Sequence, residues 1–126
     1  MSSRHGQTFG RSSQRTEQTI EDETTITTLM SALEDADCRA ILEATSDEAL
    51  AAAELCDACD LSSSTAYRKV DLLTEAGLLE ESVRLSQSGT HTSEYSLAVS
   101  DLEIDLQGGV ELTLTSEQNA PAAAAD

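Results

Sequence analysis

Apolar residues recur every three or four positions between residues 26 and 73, and from residue 78 onward they follow a period of two. That change of period divides the chain into a helical part followed by strands. Ile26, Leu29, Met30 and Leu33 form the first helical stripe, and Cys38, Ile41, Leu42 and Thr45 form the second. Ala52, Leu55, Cys56 and Cys59 make a third stripe, and Ala66, Val70 and Leu73 a fourth; Leu50 lies between the second and third, in a stretch suited to a brief strand or turn. The fourth stripe has well-marked ends. Ser62 can accept from first-turn N–H groups, Leu61 can staple against Ala66, and Gly77 supplies a left-handed residue past the last turn. The predicted helix therefore covers residues 62–76.

Only Asp60 and Leu61 separate this helix from the one before it, the spacing of a helix-turn-helix. In that motif the second helix enters the major groove, its N-terminal residues over the bases and its first N–H groups open to phosphate. With Ala66, Val70 and Leu73 facing a core, Ser63, Ser64, Thr65, Tyr67, Arg68 and Lys69 become candidate DNA contacts. The Tyr67 ring suits a thymine methyl or a sugar and its hydroxyl a phosphate; the alternative is a lid packed on the wing. Arg68 suits a phosphate or a guanine, and its alternative is an ion pair with Asp71 or Glu75.

Leu78, Leu79, Val83 and Leu85 predict a strand, the polar segment 86–93 containing Gly89 predicts a loop, and Tyr95, Leu97 and Val99 predict the return strand. This is a wing hairpin whose tip brings Arg84, Ser88, Thr90 and His91 within reach of phosphate. A second hairpin follows. A three-residue loop pairing Leu106 with Val110 puts Leu102, Ile104, Leu106, Val110, Leu112 and Leu114 on one face, whereas a two-residue Gly108-Gly109 turn scrambles the faces and is rejected. That apolar face needs a cover, from the chain's own helices or a second subunit.

Asp35-Ala-Asp-Cys-Arg-Ala-Ile-Leu42, Ala53-Glu-Leu55, Leu61-Ser-Ser-Ser-Thr65, Arg68 and Glu75-Ala-Gly-Leu-Leu79 together resemble the ArsR-type winged-helix transcription regulators, over roughly residues 28–99. Ala36, Cys38, Ala66 and Lys69 depart from that family's pattern. The resemblance implies an α+β winged helix-turn-helix of three to four helices and a wing, here with an additional C-terminal β-hairpin. It also implies a homodimer on double-stranded DNA. Dimers of this family form through terminal helices, whereas this chain ends in strands.

Charge complicates that expectation. The chain of 126 residues carries 24 acidic and 7 basic residues, a net charge of −17, and Lys69 is its one lysine. Such a surface repels a polyanion. The acids are spread along the whole chain and the small apolar residues are mostly alanine, a composition that resembles proteins of salt-accumulating haloarchaea. In molar salt the Debye length falls to about 3 Å and the repulsion is screened. Counterion release then contributes little, and recognition leans on base edges and groove shape. Arg39, Arg68, Lys69 and Arg84 are the bases between residues 16 and 126. Gathered on one face they favour DNA; scattered among carboxylates they favour a protein partner.

Cys56 and Cys59 have a C-x-x-C spacing, and Cys38 is the one plausible further ligand. Metal-sensing ArsR relatives carry their cysteines ahead of an acid–leucine pair that here is Glu54-Leu55, and all three cysteines of this chain lie on core stripes. They are read as small core hydrophobes, with no cofactor expected. No phosphate loop, zinc-protease motif or nucleophile motif occurs, so an enzyme is not expected.

The expected organisation is a disordered arm over 1–24 carrying Arg4, Arg11 and Arg15, a winged helix-turn-helix over 25–99, a C-terminal β-hairpin over 100–115 and a disordered tail over 116–126. No apolar run reaches membrane-spanning length and no signal-peptide core occurs, so a cytoplasmic protein is expected. The expected function is transcription regulation by sequence-specific DNA binding. The alternative is a winged-helix module that binds protein in the transcription or replication machinery.

Overall fold

A computed structural model describes residues 14–118. Four helices come first after an opening strand: β1 (Gln14–Ile20), α1 (Glu23–Glu34), α2 (Ala36–Ala44), β2 (Leu50–Ala51), α3 (Ala52–Cys59) and α4 (Ser63–Glu75). Four strands complete the described residues: β3 (Leu79–Leu85), β4 (His91–Leu97), β5 (Asp101–Asp105) and β6 (Glu111–Gln118). The fold is α+β, a winged helix-turn-helix with extra C-terminal strands.

Local chemistry sets the helix starts. Asp22 accepts from the Thr25 N–H at 2.8 Å, Asp35 from the Asp37 and Cys38 N–H groups at 2.8 and 3.3 Å, and Ser62 from the Thr65 N–H at 3.3 Å. Each satisfies a donor that the helix itself leaves without a partner. α3 is opened from the other direction: Ala51 has no side-chain acceptor, and Glu54 reaches back to take the Ala51 N–H at 2.8 Å. Between α3 and α4 the chain turns at Asp60, which adopts the left-handed region at φ 58°, a conformation that aspartate tolerates.

Leu29, Ile41, Leu55, Ala66, Val70 and Leu73 are fully buried, each at 0% exposure, so the four helical stripes converge on one core. Gly77 ends α4 at φ +84°. Strands β2, β4 and β3 form one antiparallel sheet in that order, with Leu50 opposite Tyr95, Leu79 opposite Leu97 and Leu85 opposite His91. The wing turn is thus residues 86–90. His91, expected in the loop, is the first residue of β4.

The second sheet departs most from expectation. Its order is β1–β6–β5, so residues 14–20, assigned to a disordered arm, are an edge strand paired with β6. Residues 23 and 24 likewise already belong to α1, and β6 runs through residues 116–118 of the expected tail. Arg15 in this strand bonds Glu117 at 3.3 Å; Arg4 and Arg11 lie outside the described residues. Pairing supplies what the β1 sequence lacks: only Ile20 is apolar and buried, and it sits opposite Leu112 in the core. In the hairpin Ile104 faces Leu112 and Asp105 faces Glu111, the register that a three-residue loop demands. Leu112 and Leu114 are covered by the helical core, whereas Ile104, Leu106 and Val110 stay 49%, 70% and 44% exposed.

Candidate nucleic-acid interface

Ser62 organises the start of α4. Its hydroxyl donates to the Thr65 Oγ1 at 2.9 Å while accepting from the Thr65 N–H, so Thr65, one of the expected DNA contacts, is engaged in the cap. Ser63 and Ser64 are exposed, and as the first two residues of the helix their N–H groups have no intrahelical acceptor. One turn on, Tyr67 is 52% exposed and Arg68 is exposed. Among the described residues Arg68 makes no ion pair; Asp71 and Glu75 do not hold it. The expected polar face of α4 is therefore open at Ser63, Ser64, Tyr67 and Arg68.

Tyr67 also forms one wall of a hollow of about 300 Å³ between α4 and the wing. Ala51, Ala52 and Ala53 and, from β4, His91, Thr92, Ser93 and Tyr95 also line it. Tyr67 and His91, remote in sequence, thus share one surface. Tyr95 is buried, and its phenol is pushed above its ordinary pKa by that burial and by the Glu81 charge.

The other cations are occupied. Lys69, expected in the groove, pairs with the Asp35 carboxylate, and the two side chains are only 15% and 25% exposed. Lys69 thereby ties α4 to the cap of α2. The hydrogen bond from Lys69 holds the Asp35 carboxyl below the ordinary carboxylate range, and the Lys69 ammonium is raised in return. Arg84 is held by carboxylates as well: its Nη2 donates to Glu54 at 2.9 Å and its Nε to Glu94 at 2.8 Å. Because Glu54 also holds the Ala51 N–H, this fork fastens the wing to the head of α3. Arg39 donates to the Leu33 carbonyl at 2.7 Å and is otherwise exposed. Of the four bases, Lys69 and Arg84 sit on carboxylates and Arg39 on a carbonyl, and Arg68 alone of them is unpaired among the described residues.

Sequence reasoning could not see these pairs, because Asp35 lies 34 residues from Lys69 and Glu54 lies 30 from Arg84. The one local signal was the Ala51-x-x-Glu54 spacing of a half capping box. Cys38 is fully buried, and Cys56 and Cys59 are half-buried, where apolar side chains were expected. Burial pushes the Cys38 and Cys59 thiols up, away from the thiolate that metals and oxidants require.

Residues 22–82, slightly under half of the chain, match the model of a family described as a helix-turn-helix domain. A search of curated proteins finds no match. Among solved structures, the chain is similar to the homodimeric winged helix-turn-helix DNA-binding domain of a possible ArsR-family transcriptional regulator from Mycobacterium bovis, at 19% identity and a TM-score of 0.48. That similarity covers 59% of this chain and 64% of the mycobacterial one. It is also similar to a possible transcriptional regulator from Methanosarcina mazei, at 20% identity, a TM-score of 0.46, and 64% and 73% of the two chains. No described helix is long and apolar enough to cross a membrane.

Proposed function

We propose that this chain is a sequence-specific DNA-binding transcription regulator that works as a homodimer in a salt-rich cytoplasm. The observation that carries the reading is the open polar turn of α4: Ser63, Ser64, Tyr67 and Arg68 stand clear of the core and of every ion pair, on the second helix of a helix-turn-helix. Small hydroxyls allow close approach to base edges, Arg68 can take guanine or phosphate, and the hollow between Tyr67 and His91 gives the sugar–phosphate chain a place beside the wing. The dispersed acids of a −17 chain suit molar salt, where contacts to base edges outlast phosphate neutralisation.

A second reading, a winged helix that engages protein instead of DNA, draws on the pairing of Lys69 and Arg84 with carboxylates. Fluorescence anisotropy of labelled genomic fragments in molar potassium chloride separates the two. The DNA reading expects saturable binding by the wild type and a loss of about fivefold to 150-fold in Arg68→Ala, the equivalent of about 1–3 kcal/mol for a lost bidentate base contact. Absent binding, or binding indifferent to both Arg68→Ala and Tyr67→Ala, transfers the function to the second reading.

A further inference from the structure

The β5 strand bonds only β6 among the described residues, so its other edge presents unpaired backbone groups. Along that edge two chemistries alternate. Leu102, Ile104 and, just past the strand, Leu106 lie on the face that leads toward the core, yet Ile104 and Leu106 are 49% and 70% exposed. Asp101, Glu103 and Asp105 lie on the opposite face, and no described base pairs with any of the three. At the hairpin a hollow of about 430 Å³ takes in both sets: Glu103, Asp105, Glu111 and Thr113 line it together with Ile104, Leu106 and Gln107. Charge crowding is already felt there: the hydrogen bond that the protonated Glu111 carboxyl donates to Glu21, burial, and the nearby Glu21 and Asp105 charges push the Glu111 carboxyl up.

A second copy of this chain does not fit the edge. Antiparallel pairing of two β5 strands about Glu103 sets Glu103 against Glu103 and Asp101 against Asp105, and a shift of two residues still opposes acid with acid. A shift of one residue turns the apolar set to the wrong face. Like charges directly opposite one another destabilise a strand pair. A strand of opposite charge and equal alternation satisfies every group at once, with main-chain bonds along the edge, aliphatic side chains over Ile104 and Leu106, and cations over Glu103 and Asp105.

We propose that the free edge of β5 docks an extended segment of a partner protein in which lysine or arginine alternates with aliphatic residues. About six residues of that partner span the edge, roughly 20 Å at strand rise. The surface is separate from the DNA face: this sheet meets α4 near Gly77, where Leu114 is adjacent, whereas the open turn of α4 lies about 18 Å away at the other end of the helix. The inference stands without the DNA reading.

The test uses the full chain and a hexapeptide of alternating lysine and valine. The comparison peptide has three lysines followed by three valines, identical in charge and composition. Binding is followed by amide chemical shifts at the lowest potassium chloride concentration that keeps the spectrum dispersed. The alternating peptide is expected to bind about tenfold or more tightly than the block peptide, with shifts centred on residues 101–106. The pair Glu103→Lys and Asp105→Lys is expected to lose that binding and to gain binding of a glutamate–valine hexapeptide. Equal binding of the two lysine peptides, shifts centred elsewhere, no binding, or concentration-dependent self-association through the 101–106 amides would each overturn the proposal.

Discussion

Lys69 of α4 is ion-paired with Asp35, the residue that caps α2, so one carboxylate both starts a helix and anchors α4 to it. The charge that sequence reasoning assigned to DNA is used inside the fold. Replacing Lys69 by Met leaves the largely covered Asp35 without its cation, and is expected to cost about 1–2 kcal/mol, between the values for exposed and buried pairs. Asp35→Asn keeps a capping oxygen and is expected to cost less than Asp35→Ala, which loses cap and pair together. Urea denaturation of the three variants checks the order.

The same pair fixes a pH dependence. Asp35 titrates lower in the folded chain than in the unfolded one, so its contribution is complete above the unfolded value near pH 4 and is lost as pH falls through the lower folded value. Lys69 titrates higher when folded, so its contribution is complete below about pH 10.4 and is lost as pH rises through the folded value. In Lys69→Met the alkaline loss due to this pair should vanish and the acid loss should shrink, retaining the part due to the Asp37 and Cys38 N–H groups. Thermal unfolding from pH 3 to 11 reads both limbs.

Arg84 gives a prediction whose sign separates two roles. As a fastener it acts through Glu54 and Glu94, so Arg84→Ala and Glu54→Gln should both speed amide exchange over residues 79–97 and both weaken DNA binding. If Arg84 instead touched phosphate, Glu54→Gln would release it and strengthen binding. Arg84→Lys should behave like Arg84→Ala, because a single ammonium does not reproduce the fork.

Cys38, at 0% exposure, should resist a thiol reagent in the native chain and react on unfolding, and Cys38→Ser should cost about 1–3 kcal/mol by burying a hydroxyl among apolar side chains. Cobalt titration supplies the contrary outcome: thiolate-to-cobalt absorption that depends on Cys38, Cys56 and Cys59 would reassign them as ligands.

The parts of the fold that local periodicity controls were legible. The helical stripes, the Ser62 cap, the Gly77 stop and the β5–β6 register each follow from a few neighbouring residues. β1 was not legible, because Gln14–Ile20 carries one apolar residue and is ordered by pairing with a strand about a hundred residues away. The site divides in the same way. Exposure of Ser63, Ser64, Tyr67 and Arg68 follows from helical phase, whereas the fates of Lys69 and Arg84 depend on carboxylates delivered by tertiary packing.

Whether the open turn of α4 reads DNA is decided by selecting duplexes from a random library with the full chain in molar potassium chloride. A reproducible enriched motif is expected, one that Tyr67→Ala and Arg68→Ala lose or alter. A shallow salt dependence is also expected, a slope of about −1 per protomer, because of the four bases between residues 16 and 126 Arg68 alone is unpaired among the described residues. No enriched motif, or a motif that both variants select unchanged, would contradict the DNA reading.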